Sequence, residues 1–135
     1  MTAALERHWG EPMGLRVRRV ERAGQHLRRE VVLIGQVRGI PAEIGFIDIR
    51  LDALAPHLAD RVLAGKRPFG ALLAEAGVWF RSRPVRFFQA LAGDGLAEAL
   101  SVPPCTVLHG RETVLSDREG RHLARAVEIL APPPD

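Results

Sequence analysis

The sequence predicts an α+β domain built on a single, mostly antiparallel sheet of about six strands, flanked by short helices. Three observations carry this prediction. Apolar and polar residues alternate along several short segments, as they do in strands that bury one face. Short turns join these segments, and such turns connect antiparallel neighbours. After the third strand the apolar spacing changes to three and four residues, which is the period of an amphipathic helix.

The N-terminal half contains one helix and three strands. Thr2 is a good capping residue, and the helix formers that follow it predict a helix over Thr2–Trp9. Alternating apolar residues predict a first strand within Leu15–Val20, and the next two strands lie over Leu27–Gln36 and Ala42–Ile49. Turns that contain glycine separate the strands, so neighbouring strands are expected to run antiparallel.

The C-terminal half mixes helices and strands. Apolar residues at helical spacing predict an amphipathic helix over Leu51–Leu63, and a second short helix follows over Pro68–Glu75. The remaining elements are a strand over Val78–Gln89, a helix over Asp94–Leu100, and a closing hairpin over Thr106–Leu115 and His122–Leu130. We predict one domain over residues 1–131, followed by a proline-rich tail over 132–135.

The charge of the chain is a weak indicator of its partner. Nineteen basic and sixteen acidic residues give a net charge of +3. The pI of about 10.3 is high because eighteen of the bases are arginine and the chain has no tyrosine. The bases are mostly scattered among acids, so we expect a solvated arginine-rich surface and no binding of nucleic acid. Arginine does recognise carboxylates in a bidentate manner, which makes an inward-facing arginine a candidate binding residue.

Several chemistries are excluded by what the sequence lacks. One cysteine, Cys105, allows neither a disulfide framework nor a four-cysteine zinc site. The five histidines show no ligand spacing, and we expect no metal and no other cofactor. No apolar run approaches the ~18 residues of a membrane span. Glu6 and Arg7 lie where a signal peptide would have its apolar centre. We therefore expect a cytoplasmic protein with no membrane partner.

Polar residues inside predicted strands are the candidate site residues. Arg29 lies on the face of its strand that carries apolar neighbours, and Arg28 lies on the other face. Glu128 shares a face with Ala124 and Ala126, whose small side chains leave room above the sheet. A carboxylate and an arginine on such a surface are suited to binding a small aromatic acid. From spacing alone, an ordinary cross-strand salt bridge or a carboxylate at the rim of the sheet is the better explanation.

Five short motifs cover nearly the whole chain. They are the opening Met1–Glu6, the arginine-bearing strand Leu27–Leu33, the Gly-x-x-Pro-x-Gly element of Gly65–Leu73, the hairpin residues Gly110-Arg111 with Gly120–Leu123, and the terminal segment Val127–Pro132. In their order and spacing, these motifs resemble those of the chorismate pyruvate-lyases and their relatives in the chorismate lyase/UTRA superfamily. The resemblance implies an antiparallel sheet flanked by helices, in agreement with the elements above.

The resemblance also implies an activity. Chorismate lyases eliminate pyruvate from chorismate to give 4-hydroxybenzoate, without a metal or an organic cofactor. By similarity, Arg29 holds the ring carboxylate, with Arg28 as the alternative one residue away, and Glu128 lies near the ring oxygen and the departing enolpyruvyl group. A carboxyl group in an apolar pocket has a raised pKa, which would let Glu128 act as an acid.

The same resemblance assigns further substrate-binding residues and shows two departures. The substrate-binding residues are Met1, Thr2, Phe69, Gly70 and Arg111. Full-length lyases carry an extra segment before the motif with which this chain begins, so part of the expected pocket lid is missing or supplied otherwise. Phe46 stands where the best-known branch of the family has an arginine. Each departure leaves open an altered substrate or a loss of catalysis.

Two other functions remain open. The segment Leu96–Pro104, with Arg111 and Gly120, resembles the ligand-sensing UTRA domains of transcriptional regulators nearly as well. A non-catalytic domain that binds a small aromatic or carboxylate ligand is therefore the first alternative. A structural or partner-binding protein is the second, based on the exposed arginines and the proline tail. Pro68–Gly70 and Glu128 favour the lyase. The sequence allows a monomer or a homodimer.

Overall fold

A six-stranded antiparallel sheet forms the centre of the molecule. The computed structural model describes residues 2–65 and 67–133, apart from the side chain of Thr2. In chain order the elements are α1 (Thr2–Trp9), β1 (Met13–Ala23), β2 (His26–Gly35), β3 (Pro41–Arg50), a 3₁₀ turn (Leu51–Ala53), α2 (Pro56–Ala64), α3 (Phe69–Glu75), β4 (Arg81–Leu91), α4 (Asp94–Leu100), β5 (Val107–Ser116) and β6 (His122–Leu130). This architecture confirms the predicted fold class.

The order of strands in the sheet is β1-β2-β3-β6-β5-β4. Two three-stranded units, one from each half of the chain, thus meet where β3 pairs with β6. At this seam Gly45 lies opposite Glu128, and Glu128 in turn lies opposite Arg111 on β5. Residues that are far apart in sequence therefore share one face of the sheet, because side chains alternate between faces along each strand.

Helices cover both faces of the sheet. On the first face, Leu58 of α2 and Leu73 of α3 pack with Leu27 and Ile49 of the sheet. The same face meets α1 further along, where Leu5 and Trp9 pack against Leu33. On the second face, Leu100 of α4 packs with Val32 and Ile44. In the described part of the chain, no helix is long and apolar enough to cross a membrane.

The predicted helix over Leu51–Leu63 is wrong at its start. The chain forms a 3₁₀ turn over Leu51–Ala53, and α2 begins only at Pro56. Proline restricts the residue before it to extended backbone, and Ala55 has φ −59° and ψ 145°. The apolar spacing across this region nevertheless marks core residues, since Leu51 and Leu58 are both buried.

The predicted start of the fourth strand at Val78 is also wrong, because β4 begins at Arg81. The N–H of Val78 donates to the carbonyl of Leu73 at 2.9 Å, and Gly77 has φ +70°. These two features close the C-terminus of α3 as a Schellman motif does. Of the apolar residues after Gly77, Val78 and Phe80 pack against the core, whereas Trp79 is exposed.

Glu11 fixes the corner between α1 and β1 to the turn between β2 and β3. Its carboxylate accepts hydrogen bonds from the backbone N–H groups of Val37 (2.9 Å) and Arg38 (3.1 Å) and from the Arg38 guanidinium. Arg38 also donates to the carbonyl of Trp9 at 2.7 Å. The Arg38 hydrogen bonds hold the pKa of Glu11 below its usual range. This ion pair ties the end of α1 to the sheet.

Candidate functional site

A cavity of about 650 Å³ lies on the sheet face that α1 and α3 cover. Its floor is formed by side chains of β2, β3, β6 and β5, and its walls include Ala3 and Glu6 of α1 and the segment from Arg67 to Ala71. Gly45 lies in the floor, and a Cβ atom there would be 3.4 Å from Val31. The absence of a side chain at Gly45 therefore leaves space at the seam between β3 and β6.

Arg29 projects from β2 into this cavity and is only 4% exposed. Its Nη2 donates to the carbonyl of Arg67 at 3.3 Å. Its Nε and Nη1 are buried and have no hydrogen-bond partner among the described residues. Removal from water lowers the pKa of the guanidinium. A buried cation with free donors is unfavourable by itself and binds an anion readily.

Glu128 and Arg111 form an ion pair across β6 and β5 in the same cavity. The Arg111 Nε lies 3.2 Å from a Glu128 carboxylate oxygen, and the two residues are direct cross-strand neighbours. Both side chains are largely buried. The salt bridge that spacing favoured for Glu128 is thus present, although its partner is Arg111 and not Arg29.

Glu43 is a third acidic group of the cavity and is 3% exposed. Its Oε2 is buried, and no residue in the described part of the chain hydrogen-bonds to it. Burial, and then the adjoining Glu128 as hydrogen-bond partner and like charge, raise the pKa of Glu43 to about 9. The side chain is consequently a neutral carboxylic acid near pH 7. The raised pKa expected for a cavity carboxyl thus belongs to Glu43.

Thr113 of β5 completes the polar floor. It is 2% exposed, it lines the cavity, and its hydroxyl has no hydrogen-bond partner. Among the described residues, the buried side-chain atoms that lack partners belong to Arg29, Glu43 and Thr113 alone, and all three residues line this one cavity. Buried polar groups in folded proteins are normally satisfied, so this convergence makes the cavity the candidate binding site.

The structure brings together most of the residues singled out in the sequence. Arg29, Glu128, Phe69, Gly70 and Arg111 all line the cavity. Phe69 is buried and also belongs to the core under α2 and α3.

Three other predicted residues lie elsewhere or outside the described part of the chain. Arg28 lies on the opposite face, where its Nε is 3.3 Å from Asp48, so the one-residue alternative to Arg29 does not reach the cavity. Met1 and the side chain of Thr2 lie outside the described residues. Strand alternation places the side chain of Phe46 on the opposite face as well, although the residue borders the cavity.

Sequence reasoning missed Glu43 and Thr113. Because side chains alternate along a strand, Glu43 lies on the same face as Gly45 and Ile47, and Thr113 lies on the same face as Arg111. This shared face was the signal in the sequence that could have identified them. A single glutamate or threonine in a strand ordinarily indicates a solvated face, so the shared face alone did not select them.

The described residues contain no group of three or more His, Cys, Asp or Glu side chains that could hold a metal ion. The polar side chains that line the cavity are three carboxyl groups, three guanidinium groups and two hydroxyl groups, from Glu6, Glu43, Glu128, Arg29, Arg67, Arg111, Ser82 and Thr113. Of these, Glu128 and Arg111 already bind each other. This donor set is suited to an organic anion with a second polar group.

No protein-family model matches the sequence, and no curated protein is significantly similar to it. Solved structures do match the fold. The effector domain of PhnF from Mycobacterium smegmatis has a TM-score of 0.75 and 15% identity over 96% of this chain and 86% of that domain. A structure of PhnF from the same organism gives a TM-score of 0.76 at 16% identity over 96% of this chain, and the match covers 62% of that chain.

A third match is the ligand-binding domain of a protein described as a GntR-family transcriptional regulator, from Bordetella bronchiseptica. It has a TM-score of 0.68 and 16% identity over 88% of this chain and 85% of that one. At these identities the likeness establishes the fold alone. The chain therefore has the chorismate lyase-like fold of GntR effector domains, which is the fold that its sequence motifs implied.

Proposed function

We propose that this domain binds a small organic anion, with Arg29 as the group that holds the anionic end. The observation that supports the proposal is the convergence of the unpartnered buried atoms of Arg29, Glu43 and Thr113 on one cavity. A carboxylate offers two oxygen atoms in one plane, and the Arg29 Nε and a terminal nitrogen can donate to both. Binding would thus satisfy donors that are left without partners in the free protein.

The apolar part of the cavity favours a flat, partly apolar ligand. Val31, Ile47, Phe69 and Ala126 contribute apolar surface around the polar groups. A volume of about 650 Å³ lies within the range of small-molecule sites. An aromatic carboxylate combines the anionic end with an apolar body, so we propose this class of ligand. The fold shared with regulator effector domains supports binding as the function more than catalysis.

Calorimetric titration with benzoate and 4-hydroxybenzoate tests this function. Charge-assisted hydrogen bonds to a buried arginine contribute about 1.5–3 kcal/mol, so Arg29→Met should weaken binding by about 10- to 100-fold. Arg28→Met is the matched control, because it makes the same change one residue away on the opposite face, and it should bind as the wild type does. Equal affinities in Arg29→Met and the wild type would refute the assignment, and Arg29→Lys provides a second variant that keeps the charge.

Chorismate lyase activity is the second candidate. One observation favours it: a neutral acid, Glu43, and the carboxylate of Glu128 lie in the same cavity as the unpartnered Arg29. Elimination breaks the ether bond of chorismate, the ring loses a proton and becomes aromatic, and the departing enolpyruvyl group gains a proton to become pyruvate. Arg29 would orient the ring carboxylate, while Glu128 and Glu43 would manage the proton.

Incubation of the protein with chorismate separates this activity from binding alone. Release of pyruvate and 4-hydroxybenzoate in equal amounts above a protein-free blank would establish a lyase. Glu128→Gln and Arg29→Met would then be expected to abolish the release. Folded protein that binds 4-hydroxybenzoate and releases no pyruvate would be a binding domain without this activity.

A further inference from the structure

We infer that the cavity selects a monoanion whose second polar group is a neutral hydrogen-bond acceptor, and that Glu43 makes this selection by donating a hydrogen bond to that group. The inference rests on the proposed function and deepens it. It starts from the placement of Glu43, which is almost fully buried in the cavity wall with Oε2 unpartnered. No motif of the sequence assigns a role to this residue.

The positive charges near Glu43 do not keep it ionised, because burial and Glu128 raise its pKa more than Arg111 and the N-terminal amine lower it. Glu128 adjoins it from β6, and Arg111 on β5 is already bound to Glu128 at 3.2 Å. On β2, Arg29 lies across the floor at the level of Ile47. No described residue forms an ion pair with Glu43. A buried carboxyl group beside another carboxylate, with no cation of its own, retains its proton.

The remaining charged residues of the cavity do not change this result. Glu6 of α1 accepts a hydrogen bond from the N–H of Met13 at 2.8 Å and is not among the groups that shift the pKa of Glu43. Arg67 reaches the cavity wall, but its guanidinium is paired with Glu75. The raised pKa of about 9 agrees with this arrangement. Near pH 7, Glu43 therefore carries one proton, which it shares with Glu128 in the free protein and can donate instead to a ligand that reaches it.

The positions of Arg29 and Glu43 set the shape of the ligand. Arg29 lies opposite Ile47 on β3, and Glu43 lies four residues from Ile47 along that strand. Four residues of strand span roughly 13 Å, much of which the long Arg29 and Glu43 side chains can bridge. Gly45 lies between the two levels and adds no side chain to the floor. A benzene ring with its anionic and acceptor groups at opposite ends fits this space.

A second anion at the Glu43 end would be rejected. Its charge would adjoin the carboxylate of Glu128, and the Arg111 guanidinium beside it is already bound to that carboxylate. A neutral carbonyl oxygen would accept the Glu43 proton and satisfy a buried group. Terephthalate and its monoamide, 4-carbamoylbenzoate, have nearly the same shape and differ in this one charge. They are therefore suitable probes, with benzoate as the reference that lacks the second group.

Calorimetric titration of the three probes near pH 7 tests the selection. We expect 4-carbamoylbenzoate to bind about 10-fold or more tightly than terephthalate, because the dianion would leave a buried charge unpaired. Glu43→Leu should weaken 4-carbamoylbenzoate about 3- to 10-fold while benzoate remains within about 2-fold of wild type. Glu30→Leu, on the opposite face of β2, is the control and should leave all three affinities unchanged.

A second measurement needs no ligand. The side-chain carboxyl ¹³C resonance of Glu43, assigned by its loss in Glu43→Gln, should report the protonated form at pH 7 and should titrate near pH 9. An ionised Glu43 at pH 7, or equal affinities for terephthalate and 4-carbamoylbenzoate, overturns the inference and leaves the proposed function standing. If none of the three carboxylates binds the folded wild type, the proposed function fails, and the inference fails with it.

Discussion

Replacing Glu43 by glutamine tests, through stability, whether a neutral acid is buried in the cavity. Burial and the adjoining Glu128 raise the pKa of Glu43 from an ordinary value of 4.5 to about 9. Above pH 4.5 the unfolded chain releases a proton that the folded protein keeps until about pH 9. The free energy of unfolding of the wild type therefore falls as the pH rises through this range. Glutamine has nearly the same shape and does not titrate, so the variant avoids this loss.

The size of the stability difference between Glu43→Gln and the wild type follows from the interval between the unfolded and the folded pKa of Glu43. Each pH unit within that interval removes about 1.4 kcal/mol from the free energy of unfolding of the wild type. From about pH 4 to about pH 7, Glu43→Gln should therefore gain about 3 kcal/mol relative to the wild type. Domains have unfolding free energies of roughly 5–15 kcal/mol in total, so the gain is easily measured.

Urea denaturation at several pH values, followed by tryptophan fluorescence, measures this gain. Glu98→Gln makes the same chemical change at an exposed position of α4, and its stability should parallel that of the wild type at every pH. If the wild-type and Glu43→Gln stabilities instead run parallel between pH 4 and pH 8, Glu43 is ionised in the folded protein and the reasoning fails.

Two further predictions concern the scaffold. Because Arg38 lowers the pKa of Glu11, the Glu11 carboxylate contributes stability above its unfolded pKa of about 4.5 that is lost as the pH falls through its lower folded pKa. Glu11→Gln should therefore unfold at lower urea than the wild type at pH 7, and the gap should narrow below pH 4.5; a constant gap would contradict the ion pair. A Cβ at Gly110 would overlap the Phe88 ring, so Gly110→Ala should destabilise the fold by about 1–3 kcal/mol. The control is Gly95→Ala in α4, where a Cβ would meet no atom within 4 Å, so this variant should be as stable as the wild type or more stable. Thermal melts of both variants measure the effect, and an equal loss of stability in the two would refute the steric argument.

The fold was largely predictable from the sequence because its strands are short, alternating and joined by turns. The seam between β3 and β6 joins segments far apart in the chain, and no local pattern specifies that pairing. The errors at Leu51–Leu63 and Val78–Gln89 arose where apolar residues serve a turn or a helix end and still belong to the core. Periodicity reports burial, and it does not by itself distinguish these local conformations.

The candidate site was only partly predictable. Arg29 was found because a charged residue on an apolar strand face is unusual. The partner of Glu128 depends on the register of β5 against β6, and no local pattern in the sequence specifies that register. Glu43 became significant only when the structure showed it buried beside Glu128, since a pKa depends on neighbours that the fold supplies. The roles of Met1 and Thr2 remain predictions.

The seam between β3 and β6 has a consequence for the order in which the site can form. Arg29 and Glu43 belong to the N-terminal three-stranded unit, whereas Thr113 and Glu128 belong to the C-terminal one. The cavity therefore does not exist until the last strand of the chain has joined the third. A ligand therefore cannot bind before the two halves of the sheet have paired, and it stabilises only the folded state in which β3 and β6 are joined. We expect such a ligand to act as a clamp across the two halves, slowing hydrogen exchange at the backbone amides that join β3 to β6.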